Sequence, residues 1–543
     1  MAEELAVEAA ASPAGEAPAE AGKDWKPSFS PWLIAVVVSL AAFMEVLDTS
    51  IANVALPHIA GNLGASTDES TWVLTSYLVS NAIVLPITGW LVSIFGRKRF
   101  FLICITLFTL SSQMCGIAPS LPILLLARII QGAGGGGLQP MAQAILADSF
   151  PPAKRGAAFA VFGITVIFAP AIGPTLGGWI TDNYSWRWIF LMNLPVGIIT
   201  MFLVNMFVED PPFLKRIKNA RIDYIGFALL VLGVGALQIM LDKGQEDDWF
   251  NSSFIAVLGI TAVVGLIGLV VWEWFQKDPI VDVRLFKNAN FATTSLMMFF
   301  VGAVMFSGTV LLPQYLQTLM GYSAASAGMV LSLGAVAMFF IMPLVGQMTS
   351  RVQARYLVAF GWLGVSLSMY LSSKMLNLGI SFQSVSWMRV MQLIPVPFIF
   401  IPATLVSYLG LPPGKNNAAA GLMNFTRNIG SGVGTSIVVV VLTQRAQVHQ
   451  TMLASHTSMG DPPFRDMLNG LTAQLSHAGL GPGQAQQQAL ARIYGLMQAQ
   501  AASIAYLDAY LMLSAGAAVM FFLAFILKKN DLSKGGGSSV AAH

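Results

Sequence analysis

Residues 32–56 read WLIAVVVSLAAFMEVLDTSIANVAL, an apolar stretch that carries two acids, Glu45 and Asp48. An α-helix needs about 20 apolar residues to cross a bilayer, and this stretch supplies them. A charge at mid-membrane costs about 2.5–3.5 kcal/mol on insertion scales, so an ionisable residue there points to function. Spaced i, i+3, the two carboxyls project from one helix face. A carboxyl so placed can load and release a proton as its access to water changes, which makes Asp48 and Glu45 candidate proton-coupling residues.

The rest of the chain has the same character. Of its 543 residues 55% are hydrophobic and only 10% charged, with a mean hydropathy of +0.69. Soluble domains carry about 25% charged residues, so the composition specifies an all-α polytopic membrane protein. A net charge of +3 gives no reason to expect nucleic acid as a partner. The two cysteines, Cys104 and Cys115, lie on one apolar segment. Their helical rise of about 16 Å is too long for a disulfide, so they are expected to be free. No metal-ligand spacing, nucleophile–base set or phosphate-binding glycine loop is present, and an enzyme is not expected.

Apolar segments recur at 33–57, 72–94, 100–118, 121–146, 157–180, 188–208, 224–241 and 253–274. They continue at 291–315, 325–349, 355–373, 385–409, 417–441 and 507–527, fourteen spans in all. An even number puts both termini on one side. On that side would fall Lys23, Lys26, Arg97, Lys98, Arg99, Lys154, Arg155, Lys215, Arg216, Lys218, Arg221 and Lys277. Arg284, Lys287, Arg351, Arg355, Lys415, Lys528, Lys529 and Lys534 join them, against Arg187, Lys243, Lys374, Arg445, Arg465 and Arg492 opposite. The positive-inside rule then makes both termini cytoplasmic. Residues 1–31 are acidic and Ala/Glu/Pro-rich, expected as a disordered tail rather than a cleaved signal peptide, and 529–543 as a second tail.

An internal repeat runs through the spans. Arg128-x-x-Gln131 returns as Arg389-x-x-Gln392, Gly89-x-Leu91-x-Ser93 as Gly346-x-Met348-x-Ser350, and Leu56-Pro57 as Leu312-Pro313, each about 260 residues later. Two six-span bundles, 32–208 and 291–528, fit this offset, with two spans inserted over 209–290. The ninth span, where the repeat would place an acid, offers none over Met305–Val310. A long segment, 442–506, separates the last two spans. Phe464, Met467, Leu468, Leu471 and Leu475, then Leu490, Ile493, Met497 and Ile504, fall there at helical spacing, predicting an external helical hairpin. Twenty residues of it would reach about 30 Å beyond the membrane.

Several segments resemble those of one family. They are Leu47-Asp48-Thr-Ser-Ile-Ala-Asn-Val-Ala-Leu-Pro57, Arg128-Ile-Ile-Gln131-Gly-Ala-Gly134 and Ser185-Trp-Arg-Trp-Ile-Phe190 with Asn193-Leu-Pro195. The fifth span adds Gly163-Ile-Thr-Val-Ile-Phe-Ala-Pro170-Ala-Ile-Gly173-Pro174-Thr-Leu-Gly177-Gly178. Together these are similar to the fourteen-span drug:proton antiporters of the major facilitator superfamily (EmrB/QacA type), over most of residues 30–530. The resemblance implies the major facilitator fold and proton-coupled efflux of amphipathic compounds by alternating access. The proton gradient would serve in place of any cofactor, Asp48 would be the coupling residue, and the bacterial inner membrane the location. It also implies a periplasmic adaptor protein and, through it, an outer-membrane channel, with 442–506 as a docking surface or, alternatively, a lid. One departure is Ser93, where the superfamily has an acid in GWLVSIFGRKRF, although Gly89 and Arg97 remain.

Arg128 is charged at any relevant pH, needs a counter-ion at depth, and is expected to answer the acids of the first span. Pro170 and Pro174 remove helix donors, while Gly163, Gly173, Gly177 and Gly178 allow close helix approach, reading as a hinge or seal between halves. Gln131, Gln139, Gln314, Tyr315, Asn424 and Arg427 are candidate substrate contacts in a Met- and Phe-rich, adaptable cavity. Two other functions fit the same sequence: a lipid or fatty-acid translocase, and a non-transporting receptor, which would have no need of buried acids near a buried arginine.

Overall fold

The computed structural model describes residues 25–212, 214, 223–412 and 414–527. Much of the two expected tails, and Lys215, Arg216, Lys218 and Arg221 of the expected cytoplasmic charge set, lie outside the described residues.

The chain is a helical membrane protein, and among the described residues fourteen helical stretches are long and apolar enough to cross a bilayer. With no water in the hydrocarbon layer, each span must satisfy its backbone internally, and helices do so. The first spans are α1 (Pro31–Leu63), α2 (Thr67–Phe95) and α3 (Arg97–Gly116), followed by a broken span, α4 (Leu121–Gly135) plus α5 (Leu138–Ser149). Next come α6 (Pro152–Asn183) and a second broken span, α7 (Trp188–Leu191) plus α8 (Asn193–Phe207). The inserted pair is α9 (Tyr224–Lys243) and α10 (Ser253–Phe275). The later spans are α11 (Ala289–Thr318), α12 (Ala324–Met348), α13 (Ala354–Met375) and the broken α14 (Phe382–Leu393) plus α15 (Val396–Ser407). Last are α16 (Asn416–Ala454), the short α17 (Pro462–His477) and α18 (Pro482–Leu523).

Local chemistry sets the starts and stops. Ser66 and Glu69 form a reciprocal capping box on α2, the Ser66 hydroxyl accepting from Glu69 N (3.1 Å) and the Glu69 carboxylate from Ser66 N (2.8 Å). Gly96, at φ +84°, makes the sharp turn from α2 into α3, a conformation that costs glycine little. Both spans bearing the repeated Arg-x-x-Gln are broken soon after it. Gly136 and Gly137 separate α4 from α5; Ile394 and Pro395 separate α14 from α15. The same interruption is thus built from different residues.

The first and last groups of helices meet along two seams, α2 against α16 and α6 against α12. At the first, a methyl on Gly89 would lie 2.6 Å from Ala418 Cα, so no larger residue fits. The α9–α10 pair is closed by Gly233 and Gly265, with a Cβ at 265 falling 2.6 Å from Gly233 Cα. Helix α9 touches both α2 and α16, whereas α10 turns Ile260, Val264 and Ile267 outward. Helices α16 and α18, of 39 and 42 residues, are about twice as long as a ~30 Å hydrocarbon layer requires. Their excess, with α17, forms a hairpin whose small core is Leu468, Leu475, Ala485, Ala489 and Ile493. At its base Asp508 of α18 pairs with His449 (2.8 Å) and Arg445 (3.5 Å) of α16.

Overpacking a closed helix seam costs about 1–3 kcal/mol. Gly265→Leu is expected to lower the thermal midpoint of the purified protein by several degrees, while Gly178→Ala, whose Cβ meets nothing within 4 Å, leaves it unchanged. Equal midpoints for all three proteins would contradict the packing described.

Candidate functional site: a buried charge cluster beside an apolar cavity

Asp48 lies on the side of α1 that faces α2, α4 and α8, and it is buried. Arg128 Nη1 of α4 donates to Asp48 Oδ2 at 2.7 Å, with both side chains almost completely inaccessible. Gln131 Nε2 (3.0 Å) and Asn193 Nδ2 (2.7 Å) donate to Oδ1, so the carboxylate is held at both oxygens. The arginine is fixed in turn: Nε donates to Val73 O (3.0 Å), Nη1 to Gln131 Oε1 (2.8 Å), and its plane lies 4.3 Å from the Tyr77 ring centroid. Asn193 reaches Asp48 because α8 begins there, after the break that follows α7. Ser112 holds it, accepting from Asn193 Nδ2 (3.0 Å) and donating to Phe190 O (2.9 Å).

One turn earlier, Glu45 has a separate shell made only of neutral donors. Tyr77 Oη (3.1 Å) and Asn81 Nδ2 (3.3 Å) donate to Oε1, and Gln139 Nε2 (2.6 Å) to Oε2. Gln139 Oε1 accepts from Arg427 Nη2 (2.6 Å), so one amide connects a carboxyl of α1 to a guanidinium of α16. Asn424, a turn from Arg427, donates to Gln143 of α5 (2.7 Å). The two expected proton-coupling acids are therefore not equivalent. Asp48 takes the arginine, and Glu45 faces the seam between the halves.

Arg427 also lines a cavity bounded by α6, α11, α12, α14, α15 and α16, whose empty space, counting the part open to solvent, is about 720 Å³. Its walls are Val166, Pro170, Val301, Met305, Phe306, Leu331, Met338, Leu393, Val396 and Phe400, with Thr309, Arg389 and Arg427 the polar contributions. Of the candidate substrate contacts, only Arg427 stands in this wall. Gln131 belongs to the Asp48 cluster, Gln139 links Glu45 to Arg427, and Asn424 bridges α16 to α5. Tyr315 is buried against Ser503 of α18 (3.1 Å), and Gln314 is exposed outside the cavity.

The glycine and proline run of α6 sits between α1 and α12. Gly173 and Gly177 face Ser50 and Ile51 of α1, Gly163 faces Met342 of α12, and Gly178 meets open space. Ser50 Oγ donates to Pro170 O (3.2 Å), while Pro174 lies a turn further along the same helix. At the end of α2, Ser93 Oγ donates to Trp90 O (2.7 Å). Arg97 pairs instead with Asp148 of α5, whose other oxygen accepts from Asn416 of α16 (2.6 Å). An acid from a different helix thus serves Arg97. Sequence reasoning missed Asp148, Tyr77 and Asn81, because single polar residues scattered over separate spans have no spacing to betray them; Asn193 stood in a quoted motif, but the motif gave it no partner.

The sequence model of the Major Facilitator Superfamily matches residues 38–435. The chain belongs to that superfamily. It is 40% identical over 457 residues to the multidrug export protein EmrB of Escherichia coli K12, covering 84% of this chain and 87% of that one. The fatty acid resistance protein FarB of Neisseria gonorrhoeae is also 40% identical, over 83% of this chain and 88% of its own. Among solved structures, the proton:xylose symporter XylE superposes with a TM-score of 0.59 at 13% identity, over 92% of this chain and 96% of that chain. The chain is thus a major facilitator transporter with multidrug and fatty-acid resistance proteins among its relatives.

Removing one partner of a buried ion pair typically costs 3–5 kcal/mol, whereas replacing both with apolar residues is often neutral. Arg128→Met alone is expected to destabilise the purified protein strongly, and Asp48→Leu/Arg128→Met to recover most of the loss in a thermal-unfolding comparison. Simple addition of two losses would contradict a direct pair.

Proposed function

We propose that this protein is a proton-coupled exporter of amphipathic organic compounds working by alternating access, with both termini cytoplasmic in a bacterial inner membrane. One observation carries the reading: a carboxylate held by arginine, glutamine and asparagine from three other spans. A cation beside a carboxyl favours its charged form, so releasing the Arg128 contact removes that support and favours protonation. In the outward-facing state protons load on Asp48 and Glu45. Rocking toward the cytoplasm restores the Arg128–Asp48 pair, expels the proton and admits substrate. One charge crossing 100 mV supplies about 2.3 kcal/mol before any pH gradient acts.

Glu45 gives substrate a route to the proton. Arg427 lines the cavity and is tied through Gln139 to Glu45, so a ligand that moves the guanidinium alters the Glu45 shell. The α6 glycines support sliding against α1 and α12, and the Arg97–Asp148–Asn416 bridge closes one end of the α2–α16 seam. The hairpin of α16, α17 and α18 serves as the docking surface for a periplasmic adaptor that passes substrate toward an outer-membrane channel. A fatty-acid exporter is the second reading, favoured by the likeness to FarB.

In everted vesicles, adding a transported compound should release protons with wild type but not with Asp48→Asn; full pumping by that variant would contradict the assignment. Deleting Met452–Gln488 should leave vesicle transport intact and abolish resistance in whole cells. Loss in both assays would make the hairpin a lid instead.

A further inference from the structure

The cavity contains a cation with no anion. Arg389 is 3% exposed, lines the wall, and makes no ion pair among the described residues. Its Nη2 donates to Thr309 Oγ1 (2.9 Å) and its Nη1 to Gln392 Oε1 (3.1 Å), while Nε is buried with no acceptor. Gln392 is held by its own donation to Ser372 Oγ (2.9 Å). A buried guanidinium with only neutral acceptors is under-satisfied, since desolvation of a charge is repaid chiefly by an opposite charge in good geometry.

The internal repeat says what is missing. Asp48 precedes Arg128 by 80 residues, and Thr309 precedes Arg389 by the same 80. Each arginine is followed three residues later by the glutamine that it bonds. Thr309 therefore stands where the first half has its carboxylate. Each arginine keeps one buried nitrogen without an acceptor, but in the first half the charge is met by a carboxylate of its own chain, and in the second the arginine lines a cavity without one.

We propose that the cavity binds amphipathic monoanions, with a carboxylate head held by Arg389 in the position that Asp48 occupies beside Arg128, and the apolar tail among Val166, Met305, Phe306, Met338 and Leu393. This rests on the export function proposed above and specifies the head-group charge of its substrates. A guanidinium matches a carboxylate with two parallel donors, and Arg389 has a donor, Nε, that no acceptor of the chain occupies. Arg427 adds a second positive charge to the same wall and no acid lines it, so lipophilic cations are disfavoured. The site reads the head and leaves the tail free, so aliphatic and aromatic acids both qualify.

The test uses the purified full-length protein and one fluorescent tail, dansylamino-undecanoic acid, with its methyl ester and the trimethylammonium analogue of equal length. The carboxylate is expected to bind about ten- to hundredfold more tightly than the ester, the range of a charge-assisted contact, with the ammonium weakest. Arg389→Gln should erase that preference while ester binding persists, which controls for folding, and Arg389→Lys should keep part of it. Thr309→Asp, which supplies the partner internally, should erase it too. Displacement of the probe by decanoate and by a bulky aromatic carboxylate alike supports a head-directed site, and displacement by only one identifies the tail that it takes. Equal binding of acid and ester, tightest binding of the ammonium, or a preference surviving in Arg389→Gln would overturn the proposal. In everted vesicles, gradient-driven movement of ester and ammonium without preference for the acid overturns the anion site and leaves export standing. Movement of none of the three overturns the export reading itself.

Discussion

Asp48 and Arg128 are each costly alone inside a membrane, and the surrounding polar contacts are arranged about a pair held 2.7 Å apart. The pair links α1 to α4 through the long arginine side chain, and its further hydrogen bonds recruit Val73 from α2, Gln131 from α4 and Asn193 from the start of α8, leaving only Arg128 Nη2 without an acceptor. The break between α7 and α8 sets Asn193 at a helix start, from which its amide reaches the carboxylate. Breaking the pair must disturb four helices, which is what a bistable transport element requires.

The two halves share a scaffold and divide its chemistry. Both have an Arg-x-x-Gln on a broken span, and both aim the arginine at the helix that opens the half. In the first half a carboxylate completes the site; in the second a threonine leaves the charge facing an apolar cavity. Coupling ion and substrate can thus occupy equivalent places on opposite sides of one pseudo-symmetric molecule. The Glu45–Gln139–Arg427 chain is the polar link between them.

Much of the architecture was legible because membrane physics leaves few choices. Long apolar runs had to be helices, and two acids on the first span made it the natural partner for an arginine at depth, so a contact between Arg128 and that span was legible from cost. The inserted spans and the repeat came from lengths and offsets. Polar closure of the cluster did not, because Tyr77 and Asn81 come from another helix and resemble any other polar residue in a span, and the motif that holds Asn193 names no partner for it. Gln131, Gln139 and Asn424 looked like cavity residues for the same reason, and proved to be committed to other side chains. The empty place opposite Asp48 was noticed as a missing acid in Met305–Val310. Its meaning needed the observation that Arg389 lies behind Thr309 and lines the cavity. Asp148 went unseen because the acid serving Arg97 was sought at Ser93, on the same helix end, when it comes from α5.

The central claim is that Asp48 exchanges Arg128 for a proton during the cycle. Infrared difference spectroscopy of the protein in liposomes, on adding a transported compound at fixed pH, reads protonated carboxyl groups directly. The result expected is a change in the protonated-carboxyl band that disappears in Asp48→Asn and persists in a variant of an exposed acid such as Asp466→Asn. A band indifferent to the compound, or unchanged in Asp48→Asn, would show that the buried pair is a static brace and that protons travel elsewhere.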